Sequence, residues 1–405
     1  MFESLSPDVL RFLSIPILSA LVGWLTNMLA LKMTFYPLNF VGIRPYLGWQ
    51  GIIPAKAESM ARRTVNLMTT RLVGVREVVE RLEPDRVVEE LSPGVEAMLK
   101  EVIDRAMQER HAELWGLLPE EARADIYGRA AADADEVIRE SLVDLKLEVE
   151  DVLDLEEMAV EALLEDRAFL NRIFLECGKE EFKFIERSGL YFGFLFGLVL
   201  MVARLFIEVG WLMPVAGIFI GYLTNFLALK MIFKPTEPRE VLGFRWQGSF
   251  LKRQEEVSEA YARLVSKNIV NTENILQAMF EGAGGERLIG IIERHVVDAT
   301  SRYEAVPRPM TNFLLGSEDY EVLKTRIADA IVAAVPNGPL YEVEAYADEA
   351  FDLENTLRRR LENLAPEKFK GLLRPIFQED EWKLLLVGAA LGFGVGLFQT
   401  FVVFG

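Results

Sequence analysis

One motif, written twice, limits what this chain can fold into more than any other feature. Residues 23–37 read GWLTNMLALKMTFYP, and residues 221–235 read GYLTNFLALKMIFKP. Eleven of the fifteen positions are identical at an offset of 198. Pro16 keeps that offset to Pro214, and Trp49-Gln50-Gly51 recurs one residue closer as Trp246-Gln247-Gly248. Matches in a fixed order point to two copies of one unit.

Each motif begins inside an apolar run. Residues 12–31 carry no charge, which is about the length of one bilayer crossing. Uncharged runs also cover 188–203, 209–229 and 384–405. The first run lacks a basic leader and a small-x-small cleavage site, so it reads as a retained helix. The second and fourth runs correspond to each other. Glu181-Phe182-Lys183 precedes one and Glu381-Trp382-Lys383 the other. Glycines four apart follow: Gly189, Gly193 and Gly197 in the first copy, Gly388, Gly392 and Gly396 in the second. Such ladders read as helix-packing faces.

The expected fold is therefore an all-α polytopic membrane protein, built as a tandem duplication. It has four transmembrane helices and two helical cytoplasmic domains. Repeat 1 (1–207) holds a transmembrane helix at 9–34, an interfacial W-Q-G loop at 37–56, a helical domain at 57–187 and a second transmembrane helix at 188–207. Repeat 2 (208–405) holds the same parts at 209–233, 234–253, 254–381 and 383–405. Two crossings per unit make the repeats parallel rather than inverted. No acid lies between Val9 and Ala57, where Arg11, Lys32, Arg44 and Lys56 stand. Lys230, Lys234, Arg239, Arg245, Lys252 and Arg253 follow the third run. Basic flanks on that side place both soluble domains in the cytoplasm.

Composition agrees with a mixed chain: 51% hydrophobic and 26% charged residues, with a net charge of −18. That balance argues against a nucleic-acid binder. Cys177 is the single cysteine, so an internal disulfide or a multi-thiolate metal site is impossible. His111 and His295 stand apart in sequence, without metal-ligand spacing. No metal or cofactor is expected. The soluble stretches carry helical stripes, such as Met60, Thr64, Leu67, Met68, Leu72, Val75, Val78, Val79 and Leu82, and no sustained alternation. Ser92-Pro93 reads as a helix start, and Pro119, Pro307, Pro309, Pro336 and Pro339 as breaks between helices.

Polar side chains at membrane depth are costly unless they find partners. Asn27 and Asn225 lie inside apolar runs, each beside a threonine, Thr26 or Thr224. Ser19, Gly23, Asn27 and Ala30 form one narrow small-residue face, repeated as Gly217, Gly221, Asn225 and Ala228. Two readings stand: these faces pack the two copies against each other, or the Thr-Asn pairs line a polar path. Lys32 and Lys230 read as snorkelling residues. Trp49-Gln50-Gly51 and Trp246-Gln247-Gly248 read either as re-entrant loops or as anchored turns at the interface.

The pattern G-[WY]-L-T-N-x-L-A-L-K-M-x-F-x-P resembles the bacterial membrane-protein family called domain of unknown function 445. Gly23, Thr26, Asn27 and Lys32, with Gly221, Thr224, Asn225 and Lys230, are the matching positions. The resemblance implies a multi-pass protein of the bacterial inner membrane and carries no activity. The leading functional expectation is a non-enzymatic scaffold displaying acidic helical domains. The alternative is an oligomeric conduit or carrier for a small solute, ion or lipid. Membrane lipids are the expected partners, with a homo-oligomer and a cytoplasmic protein partner left open and no nucleic acid.

Overall fold

The structure, a computed structural model, describes residues 7–43, 47–206, 210–241, 244–302, 317–335, 342–372 and 381–403. It is all-α apart from two small hairpins. The chain divides into two compact units, and the division is not between the two halves of the sequence. Unit 1 comprises residues 1–67, 162–264 and 358–405; unit 2 comprises 68–161 and 265–357. Each draws on both halves. Charge divides with them. Unit 2 holds 42 of the 62 acids and 18 of the 44 bases, a net −24, whereas 20 acids and 26 bases leave unit 1 at +6.

Unit 1 contains the long apolar helices: α1 (Pro7–Phe35), α9 (Lys179–Arg204), α10 (Leu212–Phe233) and α19 (Glu381–Phe398). Among the described residues, three segments are long and apolar enough to cross a membrane: Phe12–Phe35 within α1, α9 and α10. The fourth apolar stretch, Leu385–Phe401, is shorter, because charged residues precede it and the described residues end at 403. Helix α9 starts nine residues before the expected 188, so its first turns carry Glu181 and Lys183. The link at residues 207–209 lies outside the described residues.

The four helices pack laterally, α1 on α9 and α10 on α19, with α9 also touching α10 and α1 touching both α10 and α19. Their outward faces are apolar and exposed: Leu13, Ile17 and Leu21 on α1, Tyr191, Leu195 and Val199 on α9, Phe219 and Tyr222 on α10. Near one end, Ile15, Leu200, Met213 and Ile220 close a small core.

Both motif helices run into an antiparallel hairpin. Strands β1 (Val41–Ile43) and β2 (Leu47–Trp49) follow α1, and β3 (Arg239–Val241) and β4 (Phe244–Trp246) follow α10. A short helix comes next, α2 (Ile52–Ala55) or α11 (Ser249–Lys252), and then a 15-residue helix, α3 (Ala57–Arg71) or α12 (Gln254–Asn268). The sequence shows no alternation at the hairpins, since three-residue strands are too short to display it. Helices α7 (Leu155–Glu165) and α8 (Arg167–Cys177) lead back to α9, and α17 (Leu353–Glu362) and α18 (Pro366–Phe369) stand before α19.

Unit 2 is wholly helical among its described residues: α4 (Val75–Glu80), α5 (Pro84–Leu117), α6 (Glu120–Val152), α13 (Thr272–Glu281), α14 (Gly285–Arg302), α15 (Ser317–Ala334) and α16 (Glu344–Phe351). Helix α6 from the first half packs on α14 from the second, and α5 on α15. Helices of both halves of the sequence pack together here, and the units accordingly cut across the two halves. Ser92-Pro93 does not start a helix. Helix α5 begins at Pro84 and runs through Pro93. The Ser92 hydroxyl donates to the Val88 carbonyl at 2.8 Å and contacts Asp135 Oδ1 at 2.8 Å, and the helix continues past this point to a kink at His111. Pro119 does mark the α5–α6 boundary. Pro307, Pro309, Pro336 and Pro339 lie outside the described residues.

Candidate functional site

The membrane motif resolves into two seams of the same design. On α1, a Cβ at Gly23 would collide with the Gly189 carbonyl of α9. Gly193 meets the Ser19 carbonyl, and a Cβ on Gly197 would lie 2.6 Å from Pro16 Cα. The partners run in opposite order, so α1 and α9 are antiparallel. On α10, Gly221 meets Gly388, Gly217 meets Gly392, and a Cβ on Gly396 would lie 2.6 Å from Pro214 Cα. Hence each motif face packs on the glycine ladder of its own half. The expectation that the two motif faces pack against each other is corrected. Glycines on both helices permit a backbone approach that a single small-residue face cannot match.

The polar motif residues sit inside these seams. Asn27 is fully buried, and its Nδ2 donates to the Ile185 carbonyl of α9 at 2.7 Å. Gly189 is required beside it, since a Cβ there would come within 2.7 Å of Asn27 Nδ2. In the second seam a Cβ on Gly388 would press on Asn225 Nδ2. The threonines bond within their own helices: Thr26 Oγ1 donates to the Gly23 carbonyl at 3.1 Å, and Thr224 Oγ1 to Ile220 O at 2.9 Å. Lys32 and Lys230 are exposed at the helix ends, and Lys230 Nζ lies 5.8 Å from the Phe226 ring centroid. Among the described residues of the bundle, Ser19, Gly217, Gly392, Gly396 and Gln399 line a void of about 10 Å³. That is no more than one water molecule occupies.

The W-Q-G elements fold back on the motif helices. Trp49 Nε1 donates to the Met33 carbonyl at 3.2 Å, and Gln50 Nε2 to Leu38 O at 2.8 Å. Gly51 N donates to Pro37 O at 2.9 Å, and a side chain on Gly51 would strike the Phe35 backbone. In the second copy Gln247 Nε2 donates to Thr236 O at 3.1 Å and Gly248 N to Pro235 O at 3.0 Å. The Trp246 side chain lies outside the described residues. Each element is thus tied back to the motif helix before it and carries a hairpin. The first hairpin exposes Val41, Ile43 and Leu47.

Other features escaped the sequence reading. The Glu181 carboxylate, 3% exposed, pairs with Arg253 at 2.6 Å, and Arg253 also pairs with Glu256 at 2.8 Å. Hydrogen bonds and charge attraction, first from Glu256 and then from Glu181, hold the Arg253 guanidinium above its ordinary pKa against its own burial, and the Arg253 hydrogen bond in turn depresses Glu256. A signal existed: Glu181 occupies the same four-residue row as Ile185, Gly189, Gly193 and Gly197, the buried row of α9. Beside it, Asn171 Nδ2 donates to the Phe35 carbonyl at 2.6 Å. Burial pushes the Cys177 thiol up to about 12.

In unit 2, His295 stands between Glu140 at 3.1 Å and Asp144 at 3.0 Å, with Arg294 and Arg287 pairing to Asp144 and Glu148. The sequence gives no hint of this row, because its acids are on α6 and its cations on α14. Among its described residues, unit 2 also holds a half-open apolar pocket of about 730 Å³, lined from α4, α5, α6, α13, α14, α15 and α16. No group of three or more metal-ligating side chains is assembled among the described residues.

Among known proteins, the chain is similar to a UPF0754 membrane protein of Anoxybacillus flavithermus (strain DSM 21510 / WK1). The two are 31% identical over 87 residues, 21% of this chain and 24% of the relative. The chain thus spans about a quarter of that protein's length. No family model matches. With the three apolar helices, the similarity makes this a membrane protein, distantly related to an uncharacterised membrane-protein family.

Proposed function

We propose that the chain is a non-enzymatic scaffold of the bacterial inner membrane, in which a sealed four-helix anchor carries an acidic helical unit into the cytoplasm. The observation that carries this reading is the use of the motif. The Asn27 Nδ2 is committed to the facing helix and the Thr26 and Thr224 hydroxyls to their own helices, and the void that Ser19, Gly217 and Gln399 line between the helices is no larger than a water molecule. A polar path would need those groups turned toward a lumen.

Further parts of the proposal have their own support. Recurrence of the pairings Gly23–Gly189, Ser19–Gly193 and Pro16–Gly197 as Gly221–Gly388, Gly217–Gly392 and Pro214–Gly396 favours a tandem duplication. It also favours α19 as a fourth crossing, equivalent to α9. Antiparallel pairing within each half agrees with two crossings per copy, and hence with parallel repeats. Basic residues flanking the motif helices favour a cytoplasmic unit 2. The exposed residues Val41, Ile43 and Leu47 suit a hairpin lying at the lipid interface, and the apolar outward faces suit lipid or a second copy of the chain. The matching motif positions keep the resemblance to domain of unknown function 445 as the family reading. The acidic surface of unit 2 suits a cytoplasmic protein partner with basic character.

The competing reading, a conduit through the Thr-Asn motifs, is separated by one double variant. Asn27→Leu with Asn225→Leu removes both amides at similar volume, and Ile185 O keeps its hydrogen bond from the Ser188 hydroxyl at 2.8 Å. The scaffold reading expects a correctly inserted protein that rescues a deletion strain. A stable, correctly inserted variant that fails to rescue would establish the conduit instead.

A further inference from the structure

Strands β1 and β2 pair in the register Val41–Trp49, Gly42–Gly48 and Ile43–Leu47. Cross-strand partners, and residues two apart along a strand, share a face of the hairpin. Val41, Ile43, Leu47 and Trp49 therefore lie on one face, and Gly42 and Gly48 on the other. The chain itself covers the glycine face, since a Cβ on Gly48 would strike the Phe40 ring. The opposite face is open: Val41 is 63%, Ile43 74% and Leu47 73% exposed. Large aliphatic side chains clustered in this way mark an interaction surface.

The point of attachment says what covers that face. The apolar span that ends at Phe35 has 24 residues, about 36 Å of helix against a hydrocarbon core of about 30 Å. Its last turn, with Met33, thus lies at the edge of the bilayer, where Lys32 and Tyr36 are exposed. Gly51 packs on the Phe35 backbone, whereas the Trp49 indole reaches back along α1 to the Met33 carbonyl at 3.2 Å. The Trp49 face is hence turned toward the bilayer, and it is the face that carries Val41, Ile43 and Leu47. All of these residues belong to unit 1. The backbone limits the depth. A two-stranded hairpin has two open edges, and unpaired N–H and C=O groups do not enter the hydrocarbon. The strands must lie flat at the head-group boundary, with only side chains among the acyl chains.

The second hairpin is built differently. Its register, Arg239–Trp246, Glu240–Arg245 and Val241–Phe244, puts Arg239 in the place of Val41 and two charged residues in the places of Gly42 and Gly48. We propose that the first hairpin is a one-sided lipid anchor, which seats Val41, Ile43 and Leu47 among the acyl chains of the leaflet beside the end of α1, while the second hairpin stays at head-group level. The inference rests on the interfacial placement proposed above and on α1 crossing the bilayer, and it does not depend on the scaffold reading. The two copies of the motif then grip one leaflet unequally.

The test uses the full chain with Cys177→Ala, in lipid nanodiscs of phosphatidylethanolamine and phosphatidylglycerol. Leu21→Cys, Ile43→Cys and Glu240→Cys are made singly, and each carries an environment-sensitive fluorophore. Leu21 is exposed on α1 and reports insertion of that helix. Quenching by lipids with a nitroxide on the acyl chain is compared with quenching by aqueous iodide. The Leu21→Cys and Ile43→Cys probes should lose roughly half of their emission to the nitroxide lipid and little to iodide, as side chains seated about 5–10 Å deep or deeper do. The Glu240→Cys probe should show the reverse. Val41→Asp with Leu47→Asp should return the Ile43→Cys probe to iodide and leave the Leu21→Cys probe unchanged. Iodide quenching at Ile43→Cys in a protein whose Leu21→Cys probe is quenched by lipid would overturn the anchor and leave the membrane span standing. Shielding of Ile43→Cys from both quenchers would assign the face to a protein contact and overturn the anchor as well. Iodide quenching at both Leu21→Cys and Ile43→Cys would remove the span, and the anchor with it. Equal lipid quenching at Ile43→Cys and Glu240→Cys would overturn the difference between the two hairpins.

Discussion

Gly189→Ala adds a single methyl group at the tightest point of the first seam. That methyl would lie 2.6 Å from the Gly23 carbonyl carbon and 2.7 Å from Asn27 Nδ2, and closer still to the Gly23 oxygen. Relaxed carbon contacts sit at about 3.5–4.0 Å, so α1 and α9 must separate by about 1 Å. Overpacking of this kind costs about 1–3 kcal/mol. Separation also stretches the Asn27–Ile185 hydrogen bond, which adds about 1 kcal/mol in a membrane setting. The expected loss is therefore about 2–4 kcal/mol. Gly394→Ala on α19 is the matched control, since a Cβ there meets nothing within 4 Å. Thermal and denaturant unfolding of the purified protein in detergent, followed by tryptophan fluorescence, gives the comparison. Gly388→Ala should behave as Gly189→Ala does. A Gly189→Ala protein within about 0.5 kcal/mol of the Gly394→Ala control would refute the seam argument.

Three further outcomes follow from the same geometry. Cysteines at Gly128, Gly210 and Gly290, positions where a side chain meets nothing within 4 Å, should react in intact cells only at Gly210 with a membrane-impermeant reagent. Reaction at Gly128 or Gly290 would reverse the topology. Arg253→Leu should destabilise by about 3 kcal/mol by stranding the buried Glu181 carboxylate, and Glu181→Leu with Arg253→Leu should cost less; equal unfolding of single and double variants would remove the pair from the account. The Cys177 thiol titrates above its ordinary value of 9.0, at about 12, so its contribution to stability is complete below pH 9 and is lost as pH rises toward 12. Alkylation at pH 8 should accordingly require unfolding, and rapid alkylation of the folded protein would contradict this burial.

The sequence made the motif, its membrane depth and its small-residue face legible, because each is a local pattern at helical spacing. It did not say which small face meets which. Gly23 and Gly189 carry ladders of the same four-residue period as Gly221 and Gly388, so spacing alone allows several pairings. The partner is chosen by α1 and α9 running antiparallel within one half, which is a property of the chain's path. The ion pair of Glu181 with Arg253 joins residues 72 apart, and His295 reaches Glu140 and Asp144 on α6 of the other half. Long-range pairs of that sort leave no periodic mark. Ser92-Pro93 misleads for a local reason: the hydroxyl that caps a helix start equally well bonds back to Val88 within a continuing helix. The pocket of unit 2 could not be read either, because apolar stripes announce that faces are buried and not how completely they fill the space between them.

The central claim is that the Thr-Asn motifs serve packing inside a sealed bundle. Thr26→Cys and Thr224→Cys, each placed in a Cys177→Ala background, report on it directly, because both threonines are at most 1% exposed. A small water-soluble thiosulfonate is applied to native membranes, with Gly210→Cys as the accessible reference. The account predicts that Gly210→Cys reacts at once and that both motif cysteines stay unmodified until the protein is unfolded. Modification of Thr26→Cys and Thr224→Cys in folded, inserted protein, at a rate near that of the reference, would mean that water reaches the motif and would contradict the sealed anchor.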